Sequence, residues 1–128
     1  MANRIRIDRL AAEIAKAVQE YTEDVSEGIA QAVDRTAKEA VQEIEANSPR
    51  GPTKRYHKGW RIVGDDERGI TSRIIWNPKY YRLVHLLEKG HAKRGGGRVA
   101  GKPHVGPAEQ KYSSVLEQRV ERVIKNGG

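Results

Sequence analysis

The chain has 128 residues, enough for one compact domain with an arm, which excludes two full catalytic domains. It carries a net charge of +7, with 32% charged and 37% hydrophobic residues, so it is polar yet holds enough apolar side chains to fold around a modest core. The absence of Cys removes disulfides, thiolate nucleophiles and Cys-based metal sites, and the absence of Phe leaves the packing to Ile, Val, Leu and Ala.

The chain opens Met1-Ala2-Asn3-Arg4 and continues with charges among small apolar residues, without the apolar run of a signal peptide. No stretch approaches the roughly 20 apolar residues of a membrane span, so a cytoplasm-like compartment and no membrane contact are expected. From Ile5 to Ala46 there is no Pro, and Ile7, Ala11, Ile14, Val18, Tyr21, Val25, Ile29, Val33, Ala37, Val41 and Ile44 recur at helical spacing. A helix of about 40 residues would reach about 60 Å, longer than the rest of the chain is wide. Two arrangements resolve the excess. The helix can break near Gly28 into an antiparallel pair, or it can run on and pack against neighbouring subunits, with Ile14, Val18, Tyr21 and Val25 as the candidate inter-subunit face. Ser48-Pro49-Arg50-Gly51-Pro52 then stops it.

Two short β-rich runs follow, Lys58 to Gly64 and Ile70 to Asn77, around the polar turn Asp65 to Gly69; they read as a hairpin. Trp60, Ile62 and Gly64 alternate with Arg61 and Val63, and Ile74 with Trp76, so one face can bury while the other is cationic. Lys79 to Lys89 places Tyr80, Leu83, Val84 and Leu87 at helical spacing, with Gly90 as the cap. Residues 92–103 are basic and glycine-rich and read as a mobile loop. Pro107 suits the first turn of a last helix bearing Tyr112, Val115, Leu116, Arg119, Val120 and Val123 along one side. The expected fold class is therefore α+β: a long N-terminal helix, a small antiparallel sheet with a hairpin, a short helix and a C-terminal helix. Residues 1–128 form a single domain, with 1–47 as helical arm or helix pair and 48–128 as a basic body.

Charge is unevenly placed. The piece ending at Asn47 carries 6 basic and 10 acidic residues, and the remainder 18 and 7, giving −4 and +11. Two stretches lack Asp and Glu altogether: Pro49 to Val63, with Arg50, Lys54, Arg55, Lys58 and Arg61, and Lys89 to Val105, with Lys89, Lys93, Arg94, Arg98 and Lys102. Lys93, Arg94, Arg98 and Lys102 are candidates to face a partner or DNA. Little aromatic interleaving suits nonspecific phosphate contact rather than base reading, and the same cations equally suit an acidic neighbouring subunit.

Catalytic signals are thin. Gly96 to Lys102 nearly matches a phosphate-binding loop, but Pro103 stands where that loop needs a hydroxyl and a helix start. His57, His85, His91 and His104 lack the spacing of zinc hydrolases; only His85 and Glu88 share a helical face. Packing or hydrogen-bonding roles are expected for these histidines, and no metal, cofactor or enzymatic activity. A small metal-free ribonuclease using His57 and Tyr56 stays as a third reading, behind a basic nucleic-acid-binding module.

The run Asn77 to Arg94, with Leu87, Glu88, Gly90 and His91, followed by Gly97 and then Pro103-His104, resembles a small tailed-phage family, the gene-product-ten family of the HK-ninety-seven type, related in role to minor tail protein Z of lambdoid phages. Ser48-Pro49, Gly59-Trp60 and the long first helix are also similar to that family. The resemblance implies a virion protein of the neck or head-proximal tail end, made in the host cytoplasm and acting in tail completion and head-tail joining. It would act without enzymatic activity or cofactor, as a homo-oligomer with a hexameric ring favoured to match a six-fold tail. Partners would be neighbouring neck, tail-terminator or tail-tube proteins, with nonspecific double-stranded DNA contact in the channel as a further option.

Overall fold

The computed structural model describes residues 4–6, 23–50, 55–65 and 71–127. Ile14, Val18 and Tyr21, three of the four residues of the expected inter-subunit face, lie outside them.

In chain order the elements are β1 (Arg4–Arg6), α1 (Glu23–Asn47), a 3-10 turn (Tyr56–Lys58), β2 (Arg61–Asp65), β3 (Ser72–Trp76), α2 (Val84–Lys89), β4 (Gly90–Ala92), β5 (Arg98–Ala100) and α3 (Gly106–Asn126). The α+β class stands as the pattern predicts. Helix α1 buries Val25, Ile29, Val33, Ala37, Ala40 and Ile44, every third or fourth residue, and packs along α3 and on β3. Ion pairs fix α3 antiparallel to α1: Lys111 Nζ meets Glu43 Oε1 at 2.6 Å, and Arg119 meets Glu39 at 2.5 Å one turn further back along α1. The partner face of α3 is Ala108, Tyr112, Leu116 and Val120, all buried; Pro107 lies in its first turn, and Gly127, with φ 74°, ends it.

Strands β1, β3 and β2 form one antiparallel sheet with β3 in the centre, and β4 and β5 form a separate two-stranded ribbon. The β2–β3 hairpin is present as expected, and Trp60 and Ile62 pack in the core as expected, but β3 turns a different face inward. Its register pairs Ile62 with Ile75 and Val63 with Ile74, and partners directly across a sheet share a face. Ile75, fully buried, therefore points to the core with Ile62, while Ile74 and Trp76 turn to the opposite face, where Val63 is 44% exposed.

Four further expectations are corrected. Residues 4–6 extend the sheet rather than begin a helix: Arg-Ile-Arg alternates with period two, and Ile5 pairs with Ile75. Helix α1 does not break at Gly28; that glycine lies within the helix and lines a cleft with Val123 of α3. Val25, offered as an inter-subunit residue, is only 1% exposed and belongs to the chain's own core. The helix expected from Lys79 is confined to 84–89, because residues 78–83 form successive turns in which Asn77 Oδ1 accepts the Tyr80 N–H at 3.1 Å.

A last correction concerns 92–103. The segment is largely a hairpin: Gly90 pairs with Ala100, His91 with Val99, and Ala92 with Arg98. Gly96 and Gly97 adopt φ of 101° and 79°, so these glycines serve the turn's left-handed backbone.

Candidate functional site

One buried polar chain runs through the domain and includes Glu88 and His104 among the family-motif positions. It starts where α1 ends. Ser48 Oγ donates to the Ile44 carbonyl at 2.5 Å and accepts the indole N–H of Trp60 at 2.9 Å. The Trp60 ring stands edge-on to Tyr56 and to His104, with centroids 5.8 and 6.1 Å apart. Asn77 closes the same corner, donating from Nδ2 to the Tyr56 carbonyl at 3.0 Å.

His104 is the centre of the arrangement and is 2% exposed. Its Nδ1 lies 2.7 Å from the Lys102 carbonyl and 3.1 Å from Glu88 Oε1, both acceptors, so Nδ1 carries the proton and Nε2 accepts from the Tyr56 hydroxyl at 2.7 Å. Burial pushes the Tyr56 phenol well above its ordinary range, and the nearby Glu88 charge adds to the shift.

Glu88 has a role that its place in α2 does not suggest. Helix α3 has no side-chain cap of its own, since Val105 occupies that position. Glu88 Oε1 accepts the backbone N–H groups of His104 and Val105, each at 2.8 Å, and Oε2 accepts that of Gly106 at 2.9 Å. A carboxylate from another element thus satisfies the open donors and meets the positive end of the helix dipole. Burial pushes the Glu88 pKa upward, but the three backbone bonds and His104 outweigh it, and the carboxyl stays below the usual carboxylate range.

The family-motif positions fall into place around this tie. Gly90 caps α2 at φ 83°, and a side chain there would strike the Val99 carbonyl. Leu87 packs against the core, Gly97 supplies the ribbon's turn, and Pro103 leads into His104. His91 is not part of the tie: it lies exposed on β4.

Outside the tie stands the ribbon. Every residue from His91 to Ala100 is exposed. Lys93, Arg94, Arg98 and Lys102 are all carried there or at its foot, with Arg98 donating to the Lys89 carbonyl at 3.1 Å. The structure thus brings three of the four candidate partner-facing cations onto one exposed ribbon and the fourth, Lys102, to its foot.

The catalytic alternatives find no support in the placement of their residues. Tyr56 and His104 with Glu88 have the outline of a proton relay, but the phenol is 4% exposed and its hydrogen bond is directed inward. The His57–Tyr56 pair that a ribonuclease would need is not assembled at an open surface, because the Tyr56 hydroxyl is taken by His104. Gly96 to Lys102 lies in the ribbon's turn and β5, and the next helix begins only at Gly106, so no phosphate-cradling helix start follows it. Among the described residues no group of His, Asp and Glu is arranged to hold a metal, and no helix is long and apolar enough to cross a membrane.

Sequence reasoning uses Asn77-Pro78 as a strand end, Ser48 as part of a helix stop and Trp60 on a face that can bury, but does not reach the hydrogen bonds that these side chains make. It also did not connect Lys79 with Arg55, Lys58 and Arg61, which line one groove with it.

The buried polar groups thus join the chain's own elements, and four of its cations lie on the exposed ribbon or at its foot. The chain belongs to the phage family described as "Bacteriophage HK97-gp10, putative tail-component", which matches residues 12–90, more than half of its length. The chain matches no curated protein and no solved structure.

Proposed function

We propose that this phage tail component acts at the neck or head-proximal end of a long tail, in tail completion and head-tail joining, as one subunit of a ring. Six copies would match a six-fold tail. The observation that carries this reading is the β4–β5 ribbon. A two-stranded hairpin is marginal alone in water, and this one has exposed residues from His91 to Ala100, including Val99 at 38%. It is nevertheless anchored to the body at its foot, where Lys102 N–H donates to the Leu87 carbonyl at 2.8 Å. An ordered arm with no core of its own is suited to bury against a ring above or below, a tail-terminator or tail-tube protein. Its four cations favour an acidic protein surface; a strongly cationic channel lining would hold double-stranded DNA back through its phosphates.

The test is the mass in solution by light scattering behind a sizing column, at low and high salt, on protein freed of nucleic acid. A discrete ring-sized species is expected; a monomer at every concentration refutes self-assembly into a ring. Nonspecific DNA contact is the second reading, favoured by Lys93, Arg94 and Lys102, which have no acidic partner among the described residues. It requires a DNA affinity that falls steeply with salt and is lost when these cations are replaced by alanine.

A further inference from the structure

A second cationic feature lies away from the ribbon. Arg55, Lys58 and Arg61, around the 3-10 turn, meet Lys79 and Tyr80, from the turns after β3, in an open groove of about 470 Å³. All four cations are exposed, and none has an acidic partner among the described residues. The groove is built rather than incidental. Asn77 bonds to both walls, to the Tyr56 carbonyl at 3.0 Å and to the Tyr80 N–H at 3.1 Å. Gly59 between them has no room for a side chain, since a Cβ would stand 2.5 Å from Asn77 Oδ1. Arg61 is held in place by two 2.8 Å bonds from its Nη1 to the Lys58 and Trp60 carbonyls, with further N–H groups left to donate outward.

Gathering four cations in one concavity brings like charges together, which an acidic occupant would relieve. The chain itself carries a matching surface at its other end. Glu23, Asp24 and Glu27 are exposed at the start of α1, and Asp24 and Glu27 flank a cleft completed by Gly28, Gln31 and Gly127. The groove is tied to the opposite end of α1 through Trp60 and Ser48, so the two surfaces stand about 37 Å apart, the length of a 25-residue helix. One protomer cannot join them, whereas two copies in sequence can.

We propose that the Arg55–Lys58–Arg61–Lys79 groove receives the acidic start of α1, centred on Asp24 and Glu27, from a second copy of the chain. This inference rests on the assembly reading above and specifies its lateral contact. Head-to-tail contacts between two different patches are the kind that close into a ring when the rotation per subunit allows it. A duplex fits the groove less well, because these cations cluster in one hollow instead of following a phosphate backbone.

The experiment uses the full chain in two charge-reversed forms. One carries Arg55→Glu, Lys58→Glu and Lys79→Glu, leaving Arg61 with its backbone carbonyls; the other carries Asp24→Lys and Glu27→Lys. Each alone is expected to lose self-association by at least about tenfold in dissociation constant, read by sedimentation velocity, with melting curves to show that it folds. Mixed in equal amounts they should reassemble, since each then offers the charge that the other lacks, and rings of alternating subunits close for an even copy number. Milder Arg55→Gln and Lys58→Gln changes should weaken association in the same direction if the triple variant fails to fold. Assembly unchanged in both forms, or lost in both and not restored by mixing, overturns the proposal. Loss of DNA binding by the groove variant with assembly intact likewise overturns it, in favour of a nucleic-acid surface. A wild-type chain that never associates overturns the ring reading itself, which separates the two failures.

Discussion

Replacing Glu88 with glutamine probes the buried tie at the point where three backbone donors converge. The carboxylate accepts the N–H groups of His104, Val105 and Gly106 at 2.8 to 2.9 Å. The amide has the same shape but one acceptor: turned to keep His104 and Val105, it points its own NH2 at the Gly106 N–H. Bonds to a charged group contribute about 1.5–3 kcal/mol and neutral ones about 0.5–1.5, so two weakened bonds and one lost acceptor come to roughly 3 kcal/mol. For a chain of this size that corresponds to a fall of about 10 °C in Tm. The pH dependence gives an independent check. Because the carboxyl titrates lower folded than unfolded, its contribution is complete above about pH 5 and disappears as the pH falls through the folded pKa. Calorimetry of both proteins from neutral to acidic pH should therefore show a gap that is widest near neutrality and narrows in acid. A variant melting within about one degree of wild type at pH 7, or a gap constant down to strong acid, would refute the account of Glu88 as the cap of α3.

Two further substitutions test neighbouring parts of the same design. Ser48→Ala leaves the Trp60 indole N–H buried without an acceptor, and urea unfolding should show a loss of about 1–3 kcal/mol; an unchanged midpoint would mean that this bond contributes nothing. Gly101→Ala places a Cβ 2.5 Å from both the Glu88 carbonyl oxygen and the Gly90 nitrogen, backbone atoms with no freedom to yield. Amide exchange should accelerate across 90–100 in that variant, whereas Gly95→Ala, with nothing within 4 Å of the new methyl, should leave exchange elsewhere as it was; equal behaviour of the two would contradict the close approach at the ribbon's foot.

The elements with a strong local period were readable without coordinates. The apolar stripe from Val25 to Ile44 became one face of α1, and Pro107 and Gly127 bracket α3 as their backbone preferences require. The failures share a physical cause, dependence on partners distant in the chain. Ile75 rather than Trp76 faces inward because cross-strand register, invisible in β3 alone, pairs it with Ile62 on one side and Ile5 on the other. Val25 was legible as apolar, but nothing in its sequence neighbours says that it is buried in the chain's own core. At 92–103 the glycines read as looseness in the sequence, whereas the positive φ of Gly96 and Gly97 makes the turn possible. For the site, resemblance marks Glu88 and His104, and a packing or hydrogen-bonding role is expected for His104 from its sequence, but their mutual contact is not legible. Their chemistry depends on contacts spanning 16 to 18 residues for Glu88 and 48 for His104, which no local window contains.

The foot of the ribbon has an evolutionary consequence. Glu88 grips the chain on its far side at His104, and Lys102 bonds back to Leu87, so the path leaves the body and returns to it at adjoining points. Everything between is a detour from a closed stem. Lengthening a flexible detour costs only about 0.6 kcal/mol per doubling, so residues added near the Arg94–Gly97 tip would leave the interior undisturbed. Descendants of such a protein can therefore change their reach toward a new neighbour by insertion or deletion at one place, adapting to a tail of different dimensions while inheriting the same body.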